Sequence, residues 1–151
     1  MPPSILIFAS AYYFVTSYLA RYLWVYYQSV SDRPEVLVGS LASLRSVAGL
    51  AGNLLVGYIA YYLRRLRVFS LVSLALAASV LAYALTRDPM VVATLAFVES
   101  FTAVVTGILV YRLVATSSPP ESRGVAFGAL RALSIGASIA SPIVGGLLIH
   151  D

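Results

Sequence analysis

Four charged residues lie deep inside long apolar stretches, and their types make them the best candidates for chemistry. They are Arg21, Arg45, Glu99 and Arg131. A charge in mid-membrane costs about 2.5 kcal/mol or more, so such residues are expected to face the protein interior and to pair there. Glu99 can neutralise one arginine as a structural ion pair, which leaves an excess of positive charge. That excess must be met by groups that this chain lacks or by an anionic ligand, which arginine would bind by charge-assisted hydrogen bonds.

The remaining residue types argue against enzyme and metal sites. The chain has no cysteine, which excludes thiolate ligands and nucleophiles, and its single histidine is His150. Glu99 alone supports no recognisable reaction, so an intramembrane enzyme is the least favoured alternative. We therefore expect no catalytic residues, no metal and no cofactor. The net charge of +4 is explained by arginines in or beside a bilayer, so we expect no nucleic acid partner.

The composition predicts a protein that faces lipid. Hydrophobic residues make up 60% of the 151-residue chain and charged residues 11%, whereas a soluble domain carries about 25% charged residues. A helix needs about 20 apolar residues to cross a bilayer. We therefore predict an all-α, polytopic helical membrane protein with one transmembrane domain. Its predicted spans cover about 5–30, 35–63, 68–85, 90–115 and 119–149.

Short polar segments between these stretches predict where the helices begin. Asp88 before Pro89 has the pattern of an N-cap. Ser118 and Glu121 have the spacing of a capping box, with Pro119 at the first helical position. The third stretch is dominated by leucine, alanine, valine and serine, so we expect it to be the most lipid-exposed helix and to carry no site.

Small and aromatic residues predict how the helices pack. Tyr13 lies deep in the first stretch and needs a polar partner or a cavity. An aromatic group at the end of that stretch has the pattern of an interfacial belt: Tyr22, Trp24, Tyr26 and Tyr27. Two small-residue faces predict close helix contacts: Gly39, Gly49, Gly52, Asn53 and Gly57 in the second stretch, and Gly128, Ala132, Gly136 and Ala140 in the fifth.

The distribution of arginine predicts the orientation. With a cytoplasmic N-terminus, the loops inside hold most of the loop arginines, as the positive-inside rule requires: Arg64, Arg65, Arg67, Arg112 and Arg123 inside, against Arg33 and Arg87 outside. At 1.5 Å per residue, Arg21, Arg45 and Glu99 then lie about 15 Å below the outer surface. Arg131 approaches the same level from the inner side, so the four charges share one depth.

The fifth stretch resembles the fifth-helix motif of the major facilitator superfamily, with alanine and serine in place of two of its glycines. The matching residues are Gly128, Ala137, Ser141, Pro142, Gly145 and Gly146. Gly57 with Arg64 and Arg65 resembles the family's loop motif, although Tyr61 replaces the family's aspartate and Arg64 its second glycine. The run from Pro120 to Gly124 is similar to the family's loop before helix five. The fourth-helix arginine motif of many proton-coupled members is not matched, since Glu99 stands in that helix.

The resemblance implies secondary transport of a small polar or anionic solute by alternating access, with protons as a candidate coupling ion. It implies that Arg21, Arg45, Glu99, Arg131, Tyr13 and Asn53 line the solute site. The residues of the fifth-helix motif and of the loop motif between the second and third stretches would serve gating and packing. The chain would be five helices of a six-helix half, incomplete at its C-terminus and inactive alone, in the cell membrane. It would need the missing half or a partner subunit.

The alternative is a genuine five-helix membrane subunit or scaffold protein. Its small-residue faces would then bind a partner. Formation of oligomers by the isolated chain would favour this alternative over transport.

Overall fold

Five α-helices, at positions close to the predicted spans, make up the computed structural model of the chain. They are α1 (Pro3–Val30), α2 (Pro34–Tyr62), α3 (Leu66–Tyr83), α4 (Pro89–Ser117) and α5 (Arg123–Ile149), with a 3-10 turn at Pro120–Ser122. The structure describes residues 3–30, 33–62, 66–83 and 85–149. Within these ranges it describes no side chains at 3–6, 19–21, 24, 30, 34, 59–62, 66–69 and 144–149.

Three helices contain described stretches that are long and apolar enough to cross a membrane. They are Glu35–Tyr58, Pro89–Ser117 and Pro120–Ile143, and Ser70–Tyr83 is a shorter apolar helix. The count is smaller than the predicted five because the longest stretches with described side chains in α1 and α3 are only 7–18 and 70–83. The predicted class, an all-α helical membrane protein, is confirmed.

Large apolar side chains cover the outside of the helices. On α5 the exposed residues Ile135, Ile139 and Ile143 recur every four residues and so form one continuous stripe. Leu50 and Leu54 expose a similar stripe on α2. Apolar surface of this extent is suited to lipid contact and not to water.

One predicted helix cap is confirmed and one is wrong. The Met90 N–H donates to Oδ1 of Asp88 over 2.8 Å, so Asp88 caps α4 as expected. Ser118 makes no capping bond, because Pro119 takes the cap position of the 3-10 turn and has an extended ψ of 148°. A residue before proline is forced out of the helical region, and Pro119 precedes Pro120. Helix α5 therefore starts at Arg123 instead of Pro119.

The helices form two compact units, and the first contains α1 up to Val25, α4 from Val110, the 3-10 turn and α5. Its buried core joins these three helices: Ala9 from α1, Val110 and Val114 from α4, Ala126 and Leu130 from α5. Tyr12, Tyr13 and Phe127 pack around this core.

A groove of about 860 Å³ lies beside the core of the first unit. Its walls are Ser10, Ala11, Phe14 and Val15 of α1 and Ala129, Ala132, Leu133, Gly136, Ala137 and Ala140 of α5. The small-residue face of α5 therefore lines an open groove. A Cβ added at Gly128 or Gly136 would meet no described atom within 4 Å, so the described part of the chain places no helix closely against these two glycines.

The second unit spans Tyr26–Leu109 and contains the end of α1, helices α2 and α3, and most of α4. Its core includes Val56, Val105 and Leu109, with Val72 of α3 packed against them. At Gly52 a Cβ would lie 3.2 Å from Cγ1 of Val104 and 3.4 Å from the Phe101 carbonyl oxygen. Gly49 and Gly52 thus pack against α4 as predicted, whereas a Cβ at Gly39 or Gly57 would meet no described atom within 4 Å.

Candidate functional site

Arg45 of α2 and Glu99 of α4 form an ion pair inside the second unit. Nη2 of Arg45 lies 3.0 Å from Oε2 of Glu99 and donates a hydrogen bond of 3.3 Å to Oε1. The Glu99 side chain is 4% exposed and that of Arg45 20%. Oε2 has no hydrogen-bond donor in the described part of the chain, so its contact with Nη2 is electrostatic only.

A pair of tyrosines holds the other amino group of Arg45. Nη1 donates to the hydroxyl of Tyr27 over 3.3 Å, and this hydroxyl lies 3.1 Å from the hydroxyl of Tyr83. Tyr27 belongs to the end of α1 and Tyr83 to the end of α3, so the network joins all four helices of the unit. Tyr27 is 0% exposed, and its assignment to an interfacial belt is therefore wrong.

Ser100 fixes the backbone that carries Arg45. Its Oγ donates to the carbonyl oxygen of Arg45 over 3.0 Å. Residues 99 and 100 are neighbours on α4, and one binds the side chain of Arg45 while the other binds its main chain. The close approach at Gly52, two turns further along α2, keeps the two helices near enough for both contacts.

Helix α3 takes part in the site, contrary to the sequence analysis. Tyr83 is 5% exposed, and Ser79 one turn earlier is also buried. The hydroxyl of Ser79 donates to the Leu76 carbonyl of its own helix over 2.8 Å, so among the described side chains of α3 it is Tyr83 that contacts the polar network. The expectation that α3 carries no site is wrong because its last residue turns inward.

A third aromatic ring packs against the two tyrosines of this network. The Tyr26 ring lies 5.8 Å from that of Tyr83 and 6.0 Å from that of Tyr27, centroid to centroid. Its hydroxyl donates to the Thr86 carbonyl oxygen, which leaves Tyr26 outside the described contacts of Arg45. The three rings form one aromatic cluster at the ends of α1 and α3.

Of the other predicted solute-binding residues, Arg131 belongs to the first unit and Asn53 to the second. Arg131 is exposed in the first unit, close enough to Tyr13 to interact electrostatically. Asn53 is exposed on α2, and its side-chain nitrogen donates to the Gly49 carbonyl of the same helix over 2.9 Å. The backbone of Arg21 lies in α1, and its side chain is outside the described residues.

The predicted gating and packing residues are only partly described. Arg64 and Arg65 fall outside the described residues, as does the packing around Gly145 and Gly146. Helix α5 continues through Pro142, and Ser141 beside it is fully buried. Ala137 lines the groove of the first unit. Among the described residues, no three histidine or acidic side chains come together as a metal site would require.

The sequence analysis did not assign Tyr27, Tyr83 and Ser100 to the site, although one signal pointed to the two tyrosines. Antiparallel helices place the ends of α1 and α3 on the same side of the membrane as the starts of α2 and α4. A tyrosine near each of those ends is therefore in reach of Arg45, which lies about three turns into α2.

Comparison with known proteins agrees with this architecture. The sequence profile of the Major Facilitator Superfamily matches residues 4–151. No curated protein and no solved structure matches the chain significantly. The profile match extends over almost the whole chain and all five helices. The chain therefore belongs to the major facilitator superfamily.

Proposed function

We propose that this chain is part of a secondary transporter that moves a small polar or anionic solute across the cell membrane by alternating access. The observation that carries the proposal is the buried Arg45–Glu99 pair, which joins α2 and α4 at mid-helix. Family membership supports transport and favours it over the alternative of a scaffold that binds a partner. The solute class rests on the chemistry of arginine, which binds carboxylates and phosphates through several N–H donors.

The ion pair suggests how solute and proton could be coupled. An anionic solute that binds Arg45 competes with Glu99 for the guanidinium. Glu99 would then be a buried carboxylate without its cation, a state that is strongly unfavourable. Uptake of one proton by Glu99 removes that charge, and Oε2 can accept it without losing a hydrogen bond. One anion and one proton bound together leave the net charge of the site unchanged.

The test measures uptake by the whole transporter to which this chain belongs, reconstituted in proteoliposomes that contain a pH-sensitive dye and are exposed to a panel of carboxylates and phosphates. We expect Glu99→Gln to abolish proton-coupled uptake while expression is unchanged, because glutamine cannot carry a proton. Glu35→Gln is the matched control, since Glu35 is exposed in the first turn of α2. Coupled uptake by Glu99→Gln at the rate of the unsubstituted protein would exclude the role of Glu99.

A second set of variants tests the binding of the anion. We propose that Arg45 and Arg131 both contribute to the affinity for the solute. Arg45→Ala and Arg131→Ala should therefore each raise KM, by about tenfold or more for a lost charge-assisted contact of about 1.5 to 3 kcal/mol. If both variants kept the original KM, the proposal of an anionic solute would fail.

A further inference from the structure

We propose that Tyr27 is a positioning residue, which holds the guanidinium of Arg45 on Glu99 and is itself held by Tyr83 of α3. This proposal rests on the function proposed above and extends it to two residues outside the ion pair. It makes the contact between α1 and α3 a determinant of how readily Arg45 leaves Glu99.

The contacts of Arg45 support this role. Its two amino groups serve different partners, since Nη2 contacts Glu99 and Nη1 donates to Tyr27. Of the two amino groups, Nη2 contacts the carboxylate and Nη1 does not, so the ion pair is not bidentate. A single amino group on Glu99 would leave the guanidinium plane free to rotate. The hydrogen bond from Nη1 to Tyr27 fixes this rotation.

Their positions relative to Arg45 give the two tyrosines unequal parts. The Tyr27 hydroxyl accepts directly from the guanidinium, whereas the Tyr83 hydroxyl contacts only the Tyr27 hydroxyl, 3.1 Å away, and either of these two can be the donor. Removal of the Tyr27 hydroxyl breaks both hydrogen bonds, the one from Arg45 and the one between the two tyrosines. Removal of the Tyr83 hydroxyl breaks only the bond between the tyrosines, so its effect on Arg45 should be smaller.

Tyr26 provides a matched control. It precedes Tyr27 in the chain, its ring belongs to the same aromatic cluster, and its hydroxyl donates to the Thr86 carbonyl oxygen. Tyr26→Phe thus removes a hydroxyl of the same kind without touching Arg45. A general loss of stability would affect Tyr26→Phe and Tyr27→Phe alike, whereas a positioning role affects only Tyr27→Phe.

The test is the labelling of Glu99 by dicyclohexylcarbodiimide, an apolar reagent that modifies protonated carboxyl groups, with the site assigned by mass spectrometry. It is run on the membrane-embedded chain at fixed pH and needs no knowledge of the solute. Arg45→Ala sets the upper limit of labelling. We expect Tyr27→Phe to raise the labelling rate about tenfold, which corresponds to about 1.4 kcal/mol. Tyr83→Phe should raise it about threefold, the effect of a typical neutral hydrogen bond, and Tyr26→Phe should leave it unchanged.

Two results would overturn the proposal. One is labelling of Tyr27→Phe at the rate of Tyr26→Phe while Arg45→Ala is labelled fast. The other is slow labelling of Glu99 even in Arg45→Ala, which would mean that Arg45 does not protect the carboxyl. Failure of the transport function is seen separately, as Glu99→Gln uptake equal to that of the unsubstituted protein, and it leaves the labelling result intact.

Discussion

At the scale of single residues, the free energy of the Arg45–Glu99 pair depends on both charges being present together. Two ions removed from water lose several kcal/mol of hydration each, and their attraction offsets this only with good geometry. The pair here has one amino group on the carboxylate and one on a tyrosine, with a carboxylate oxygen left without a donor. Such an ion pair is better suited to breaking and re-forming than to stabilising the fold.

This geometry predicts that the loss of one charge is worse than the loss of both. We expect Arg45→Met to lower the free energy of unfolding by about 3 to 5 kcal/mol, because it leaves the buried Glu99 without its cation. Glu99→Leu should lower it by less, because Arg45 is 20% exposed and keeps its bond to Tyr27. The double variant should be more stable than either single one. Thermal unfolding in detergent, followed by circular dichroism, measures the three differences. A double variant that melts below both single variants would contradict this account.

At the scale of elements, the helices were predictable because apolar runs of membrane length leave few alternatives. Helix α2 begins at Pro34 and α4 at Pro89, one residue from the predicted starts. The start of α5 was wrong because the effect of Pro120 on Pro119 prevails over the capping-box spacing. The role of α3 was missed because composition describes a whole helix, whereas its contact with the site depends on one terminal residue, Tyr83.

The packing of α2 on α4 leads to a stability prediction at this scale. We expect Gly52→Ala to be less stable than Gly39→Ala by about 1 to 3 kcal/mol, the usual cost of overpacking. Both substitutions gain the same helix propensity, but the new Cβ at Gly52 lies 3.2 Å from the stiff side chain of Val104 and that at Gly39 meets no described atom within 4 Å. Melting temperatures of the two variants in the same detergent give the comparison. Equal melting temperatures would mean that α2 and α4 separate easily at this point.

At the scale of the whole molecule, the exposed apolar stripes place the chain in a bilayer, and the arginines predict how it is oriented. The site was only partly predictable at this scale. Arg45 and Glu99 were predicted because two opposite charges at one depth attract each other. Tyr27 was not, because an aromatic residue at a helix end has the same pattern whether it faces lipid headgroups or a buried arginine.

The absence of cysteine makes the proposed orientation directly testable, since a single introduced cysteine is then the only thiol. Leu85 and Ser122 are exposed between α3 and α4 and between α4 and α5, respectively. With the N-terminus in the cytoplasm, a membrane-impermeant maleimide should label Leu85→Cys in intact cells. It should label Ser122→Cys only after permeabilisation. The opposite pattern would reverse the proposed orientation.

The bond from Ser100 to α2 has a consequence for how this site can change during evolution. Its acceptor is the main-chain carbonyl of Arg45, which is present whichever amino acid occupies position 45. The register between α2 and α4 is thus independent of the charge that they carry. A substitution of the arginine could therefore change the solute that is bound without changing the alignment of the two helices. Selection on Ser100 and selection on Arg45 are then separable.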